Sequence, residues 1–290
     1  MEDSRCDFCG QANTRLLYKK FDNISKTNYN ILRCKNCGLV YTNPRLDPEE
    51  FVKFYSPAYY GSNKDSKTRE KYQLDKIKKV ERFKKSGKIL DIGCGSGDFL
   101  LLAIEKGWEA YGIEISKEVT ENLRKILGSN IFVGKSENAP FQEEYFDVIT
   151  LWHVLEHLVS PLNVIRKIRW WLKKNSLLIV AVPNFNSLQS RLFKEKWFHL
   201  DMPRHLYHFT PSVLGRKLEE EGFKVKRINF FSWEHNWAGI YSSICRDLLN
   251  KTDLFSKVLR RNIYYSSKIL AWLESALKKG GTFEIYAQKG

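Results

Sequence analysis

Lys88-Ile-Leu-Asp-Ile-Gly-Cys-Gly-Ser-Gly97 is the stretch on which the fold turns. Lys88–Ile92 has the composition of a short buried strand, and Asp98–Lys106 carries apolar residues at helical spacing. Between them, three glycines at alternate positions form the turn. A strand, a glycine turn and a helix N-terminus bring backbone N–H groups close to a ligand. Several nucleotide-binding folds use such a turn, so it does not by itself select the ligand.

The same alternation continues outward. Glu109–Ile115, Ile131–Val133, Phe146–Leu151 and Leu177–Val182 read as strands, with helices over Lys117–Leu127 and Leu162–Leu172 between them. Strands separated by helices specify an α/β architecture with a parallel sheet. Two carboxylates mark its ligand end. Asp91 closes the first strand ahead of the first glycine, placed to meet a ligand ammonium. Glu114 ends the second, where a carboxylate can accept both hydroxyls of a ribose.

Upstream, Cys6-Asp-Phe-Cys9-Gly10 and Cys34-Lys-Asn-Cys37-Gly38 form two thiolate pairs 24 residues apart. The two-residue spacing turns both sulfurs of a pair inward, and the glycine permits the tight turn behind them. Cys6, Cys9, Cys34 and Cys37 are thus the expected ligands of a closed, structural Zn2+ site. Leu16–Phe21 and Asn28–Arg33 read as the strands of a zinc ribbon over residues 1–45. Unmetallated pairs and a redox pair are the alternatives; nothing around either pair resembles a thioredoxin unit. Residues 46–87 read as a connector, with a helix-like stretch Pro48–Tyr55, an aromatic segment Tyr55–Gly61, a polar run Ser62–Lys71 and a helix over Tyr72–Lys85.

The 290 residues suffice for one large core and a small module. Lys and Arg number 48 against 33 Asp and Glu, a formal charge of +15. That excess favours anionic partners, whether nucleic acid, membrane surface or phosphate-bearing substrate. No apolar run approaches the roughly 18–20 residues of a membrane span, and the acidic, polar N-terminus is unlike a secretory signal. The expected location is cytoplasmic, with peripheral contact at the inner membrane face as an option.

Several ordered motifs resemble the class I S-adenosylmethionine-dependent methyltransferases: Asp91–Gly97, Gly112-Ile-Glu-Ile115, Gly134-Lys-Ser-Glu-Asn-Ala-Pro-Phe141 and Tyr145-Phe-Asp-Val-Ile149. The resemblance covers residues 88–290 and implies a Rossmann-like, seven-stranded, mostly parallel sheet with helices on both faces. In it the final strand, Thr282–Gln288, inserts antiparallel. It also implies a cofactor set of Tyr60, Asp91, Gly93, Gly95, Gly97, Glu114, Ile115 and Trp152. Lys135 stands where the family often has an acid facing adenine, which passes that contact to Ser136, Glu137 or backbone groups. Arg33–Pro44 and His199–Pro211 further resemble a bacterial and archaeal subgroup associated with surface-polysaccharide and glycolipid pathways.

The acceptor side is less explicit. The fourth strand ends at Trp152-His153-Val-Leu-Glu156-His157, which makes His153 and His157 candidate general bases. The match to an inverted zinc-protease string is rejected, because this stretch spans a strand end and a helix start. The insertion 184–211 concentrates Trp197, His199, Asp201, Arg204, His205, Tyr207 and His208. His205 and His208 join the candidate catalytic set; Trp197, Arg204 and Tyr207 are candidate substrate contacts, through stacking on a sugar and pairing with phosphate or carboxylate. A structural clasp is the plainer alternative. Pro211–Glu221 reads as a helix and Gly222–Phe231 as a strand. The segment 254–279 reads as a basic amphipathic helix that packs on the core, on another subunit or on an anionic membrane. The expected function is S-adenosylmethionine-dependent methylation, O-directed, of a small molecule or of a glycan, nucleotide- or lipid-linked. An RNA methyltransferase is the alternative, since some ribosomal RNA guanine methyltransferases also carry a zinc ribbon; a non-catalytic scaffold ranks below both.

Overall fold

In the computed structural model, which describes residues 5–22, 25–46, 66–232, 235–245 and 254–290, seven strands form the central sheet. They are β4 (Gly87–Ile92), β5 (Trp108–Glu114), β6 (Ile131–Val133), β7 (Phe146–Trp152), β8 (Leu172–Pro183), β10 (Phe223–Asn229) and β11 (Thr282–Lys289). Their order is β10-β11-β8-β7-β4-β5-β6. The pairs β4/β5, β4/β7, β5/β6 and β7/β8 are parallel. The first six residues of β7 are all buried, which is why it reads as a near-continuous apolar run rather than an alternating one. The chain winds outward from β4 in both directions, so strand order reverses there, and the crevice at its carboxyl end is the expected ligand position.

Helices α1 (Ser66–Glu81), α2 (Asp98–Glu105), α3 (Glu121–Leu127) and α4 (Pro161–Trp171) link or flank these strands. One core cluster gathers Ile77 and Val80 of α1, Phe99, Leu100 and Ala103 of α2, Leu123 of α3 and strand residues Ile89, Val148 and Ile179. In α4, Pro161 takes the first helical position, where a missing N–H is harmless, and Val164, Ile165, Ile168 and Trp171 form the buried stripe. Several sequence boundaries move, among them the start of β8, at Leu172 rather than Leu177. Helix α1 takes in Ser66–Lys71 of the polar run; further along it Asp75 and Lys79 pair at 2.6 Å one turn apart, and Ile77 and Val80 anchor the inner face. Helix α3 begins at Glu121 rather than Lys117: residues 117–120 form a turn, in which the Thr120 hydroxyl donates to the Ser116 and Lys117 carbonyls. Pro48–Tyr55, Tyr55–Gly61 and Tyr60 lie outside the described residues.

The chain forms two compact units: Leu46–Ala181 with Gly215–Arg227 and Ile285–Gly290, and Met1–Arg45 with Val182–Leu214 and Ile228–Glu284. The expected division runs along the chain at residues 45 and 87, whereas the units join distant segments. In the second unit, β1 (Thr14–Asp22), β2 (Thr27–Cys34), β3 (Val40–Asn43) and β9 (Tyr207–His208) form a four-stranded sheet in that order. The two ribbon strands pair antiparallel, and β3 pairs antiparallel with β9 through Val40/His208 and Tyr41/Tyr207. The insertion therefore supplies a strand to the cysteine-bearing sheet. This unit also holds α5 (Leu188–Phe193), α7 (Asn236–Cys245) and α8 (Leu254–Ala276), while α6 (Pro211–Glu220) precedes β10.

Candidate cofactor and catalytic site

The glycine turn after β4 is closed to side chains. Gly93 and Gly97 have φ values of +73° and +83°, and a Cβ at either would strike the side chain of Val154 or Leu123 respectively. The turn is anchored by Gly93 N and Cys94 N, which donate to the Ile113 carbonyl at 2.7 and 3.1 Å. Glu114, 5% exposed, accepts from three backbone N–H groups: Gly95 at 3.0 Å, Ile115 at 2.8 Å and Ser116 at 3.1 Å. These bonds fix the carboxylate at the end of β5. Gly134 N donates to the Glu114 carbonyl at 2.9 Å, which brings the following loop to the same strand end. Ser136 there is buried and starts a short 3₁₀ turn, Ser136–Asn138; its hydroxyl donates to Glu137 at 3.4 Å.

Asp91 is buried and faces β7. Its Oδ1 accepts from the Thr150 hydroxyl at 2.7 Å, and Oδ2 accepts no hydrogen bond among the described residues. Burial lifts its pKa from 3.8 to about 7, against the opposing pull of the Thr150 bond and the Lys76 charge, and Glu114 adds to the rise. A cationic group meeting Asp91 would reverse that rise by favouring the ionised form. Sequence reading missed Thr150, although a hydroxyl in an otherwise apolar buried strand needs a partner and signals one. It also missed Val154 and Leu123, whose packing against the glycines nothing in the sequence announces.

Trp152 ends β7 with its ring edge-on to Phe99 at 6.0 Å and beneath the Lys76 ammonium at 5.4 Å. Its buried Nε1 has no hydrogen-bond partner among the described residues, a donor that a polar ligand would satisfy. Ile115 is 48% exposed beside Glu114, as a residue bordering a ligand would be.

His153 follows at φ +59°, a left-handed conformation uncommon for a non-glycine residue, and its N–H donates to the Ala181 carbonyl at 2.9 Å. Its Nδ1 lies 3.5 Å from Glu156 Oε1. Glu156 is fully buried, and neither of its oxygens has a hydrogen-bond partner among the described residues. Leu155–His157 is a single 3₁₀ turn, too short for the two-turn helix a zinc-protease string requires.

A match to the family described as Methyltransferase domain covers residues 66–228, more than half the chain. The chain belongs to the methyltransferase domain family. It is 24% identical over 201 residues to the ubiquinone biosynthesis O-methyltransferase of Acinetobacter baylyi, covering 62% of this chain and 84% of that one. It is 29% identical over 178 residues to the tRNA U34 carboxymethyltransferase of Hydrogenovibrio crunogenus, covering 56% and 52%. The crystal structure of a SAM dependent methyltransferase from Archaeoglobus fulgidus shares the fold, with a TM-score of 0.53, 24% identity, and coverage of 82% and 99%. The protein is an S-adenosylmethionine-dependent methyltransferase with a Rossmann-like sheet. Its residues fit that donor: a turn closed to side chains, a carboxylate fixed for ribose, and a second, buried carboxylate for the methionyl ammonium.

In the other unit of this methyltransferase the insertion turns its large aromatic side chains inward. Trp197 is fully buried and donates from Nε1 to Gln189 at 3.0 Å. Tyr207 is also buried, with the Arg45 guanidinium 4.8 Å from its ring centre. Arg204 is held in a two-point ion pair with Asp201 at 3.0 and 2.6 Å. The structure thus places Trp197 and Tyr207 inside the fold rather than on a sugar-stacking surface, and gives Arg204 an anionic partner from its own loop. His208 is buried, with Nε2 3.1 Å from the Thr42 hydroxyl; burial lowers its pKa well below 6.5, so it stays neutral. His205 Nδ1 donates to the His199 carbonyl at 2.8 Å. His208, Trp197 and Tyr207 are thus buried and make their contacts within the fold.

The four cysteines converge in the same unit. Their sulfurs all lie within 4.8 Å of one another, with Cys6–Cys37 at 3.3 Å and Cys9–Cys34 at 3.5 Å. Backbone amides of Phe8 and Cys9 point at Cys6, that of Gln11 at Cys9 and that of Leu39 at Cys37.

Proposed function

We propose that this methyltransferase methylates a hydroxyl oxygen on a sugar or other small molecule, nucleotide- or lipid-linked, with His153 as the general base. The observation that carries the reading is the buried Glu156 carboxylate 3.5 Å from His153 Nδ1 at the end of β7. An imidazole whose Nδ1–H faces a carboxyl group keeps its lone pair on Nε2. It can then take the proton of an acceptor hydroxyl at Nε2. Bound S-adenosylmethionine supplies an activated methyl on a sulfonium. What remains for the protein is to hold Asp91 and Glu114 in place, exclude water and accept one proton. The O-methyltransferase relative supports an oxygen acceptor.

For the four-cysteine cluster we infer structural zinc. In a tetrahedral site with sulfurs about 2.3 Å from the metal, neighbouring sulfurs stand about 3.8 Å apart, and the observed cluster has that compactness. Amides aimed at the sulfurs stabilise thiolate charge, and four protein ligands leave no position open for catalysis.

Methyl transfer from labelled donor should be followed in parallel to sugar nucleotides, lipid-linked glycans and RNA. An O-methylated sugar product, lost in His153→Asn with donor binding retained, is the expected result. Label appearing only on RNA bases overturns the reading. The RNA alternative draws on the tRNA-modifying relative and on the +15 charge. Steep loss of RNA binding with added salt would favour it.

A further inference from the structure

Helix α8 packs the opposite way round from an ordinary surface helix. Its inner face is small and polar: Ser256, Ser267, Ala271 and Glu274 are buried. Its large apolar residues point outward, with Val258, Tyr265, Ile269, Trp272, Leu273 and Leu277, just beyond its end, between 43% and 65% exposed. At about 100° per residue these positions fall on one stripe along the helix.

The orientation is locked by hydrogen bonds that would be lost if the helix rolled. Glu274 Oε1 accepts from Gln189 Nε2 at 2.6 Å and from Gly281 N at 2.8 Å. Ser275 Oγ accepts from Asn236 Nδ2 at 2.9 Å and donates to the Ala271 carbonyl at 2.6 Å. Turning the apolar stripe inward would break the bonds that Gln189 and Gly281 make to Glu274 and that Asn236 makes to Ser275. The outward stripe is therefore what this inner network specifies.

Charge identifies what covers it. Lys257, Arg261 and Lys268 are exposed along one edge of the stripe, and the helix's single acid, Glu274, is buried on the opposite side. Lys268 reaches over the Tyr264 ring at 4.1 Å, which lays its aliphatic stem along the helix. We propose that the outer face of α8 docks on an anionic lipid surface, with the apolar stripe entering the acyl boundary, Tyr265 and Trp272 at headgroup depth and the basic edge on the lipid phosphates. A second copy is the poorer occupant, because an antiparallel two-fold contact through this stripe would set basic edges of like sign side by side. None of the described helices is long and apolar enough to cross a membrane, so the contact is peripheral. The inference stands whichever acceptor the enzyme uses.

The test is flotation of the full chain with phosphatidylglycerol vesicles against neutral phosphatidylcholine vesicles. Binding to the anionic vesicles alone is expected. At roughly fivefold per cation, the triple variant Lys257→Gln, Arg261→Gln, Lys268→Gln should bind on the order of 100-fold more weakly. Ile269→Glu with Trp272→Ala should abolish binding while S-adenosylmethionine binding by calorimetry is unchanged. In the intact protein, brominated lipid should quench tryptophan fluorescence, and the conservative Trp272→Phe should remove that quenching. Equal binding to both vesicle types, anionic binding untouched by the apolar double variant, or a stable dimer that Ile269→Glu dissolves without any vesicle binding would each overturn the proposal.

Discussion

Replacing Asp91 by Asn should make the ligand-free enzyme more stable and a worse binder of its donor, and the stability gain should grow with pH. Burial raises the Asp91 pKa from 3.8 to about 7, so folding favours its protonated form. A group raised in this way contributes its stability fully below pH 3.8 and loses it as pH rises through 7. At about 1.4 kcal/mol per tenfold change in ionisation, holding the ionised carboxylate above pH 7 costs about 4 kcal/mol. Between pH 5 and pH 8 the cost grows by roughly 2.5 kcal/mol. Asn keeps an oxygen for the Thr150 hydroxyl, and any pH-independent cost of burying its amide cancels when the two pH values are compared. Urea unfolding of both proteins at pH 5 and pH 8 therefore isolates the effect. Calorimetry supplies the functional half. Donor affinity of the native enzyme should rise about tenfold per pH unit below 7 and level off above it, because binding the ammonium requires the ionised acid. The Asn variant should bind more weakly and with no such dependence. A stability gap that stays constant with pH would refute the burial argument, and undiminished donor binding by the Asn variant would refute the assignment of Asp91 to the cofactor.

Gly97→Ala places a Cβ at φ +83° against Leu123, so a loss of about 1–2 kcal/mol from the backbone alone should accompany weaker donor binding; unchanged thermal unfolding and calorimetry would remove the steric argument. His153→Asn should lower kcat by about 10²–10⁴ while the donor dissociation constant holds; equal loss of both would make the residue structural. Elemental analysis of the purified chain should find one zinc per protein, absent in Cys34→Ser, with a lower Tm after chelation; full stability without metal would end the zinc reading. Trp197→Phe leaves the Gln189 oxygen without its buried donor and should cost about 1–3 kcal/mol in denaturant unfolding, with kcat retained. A selective rise in KM would instead return Trp197 to the substrate site.

What the sequence by itself determined is the part governed by local backbone chemistry. The glycine turn, Asp91, Glu114 and the two cysteine pairs need particular residues at fixed spacing, and the structure assembles the turn, both carboxylates and the four sulfurs. The positions of the core strands along the chain followed from apolar runs separated by helices, since a strand buried on both faces cannot be polar, while their seven-stranded arrangement was implied by the family resemblance. Tertiary structure decided the rest. Trp197, Tyr207 and His208 are chemically capable of binding a sugar, and only the folded chain reveals that they lie buried beside Gln189, Arg45 and Thr42. Helical spacing could not tell which side of α8 faces inward, because Glu274 and the apolar stripe alternate within the same turns. Its direction was set by Gln189 and Asn236, residues far away in sequence, whose buried amides must find partners. Periodicity records which residues share a face, whereas burial of that face depends on polar groups that only the folded chain brings together.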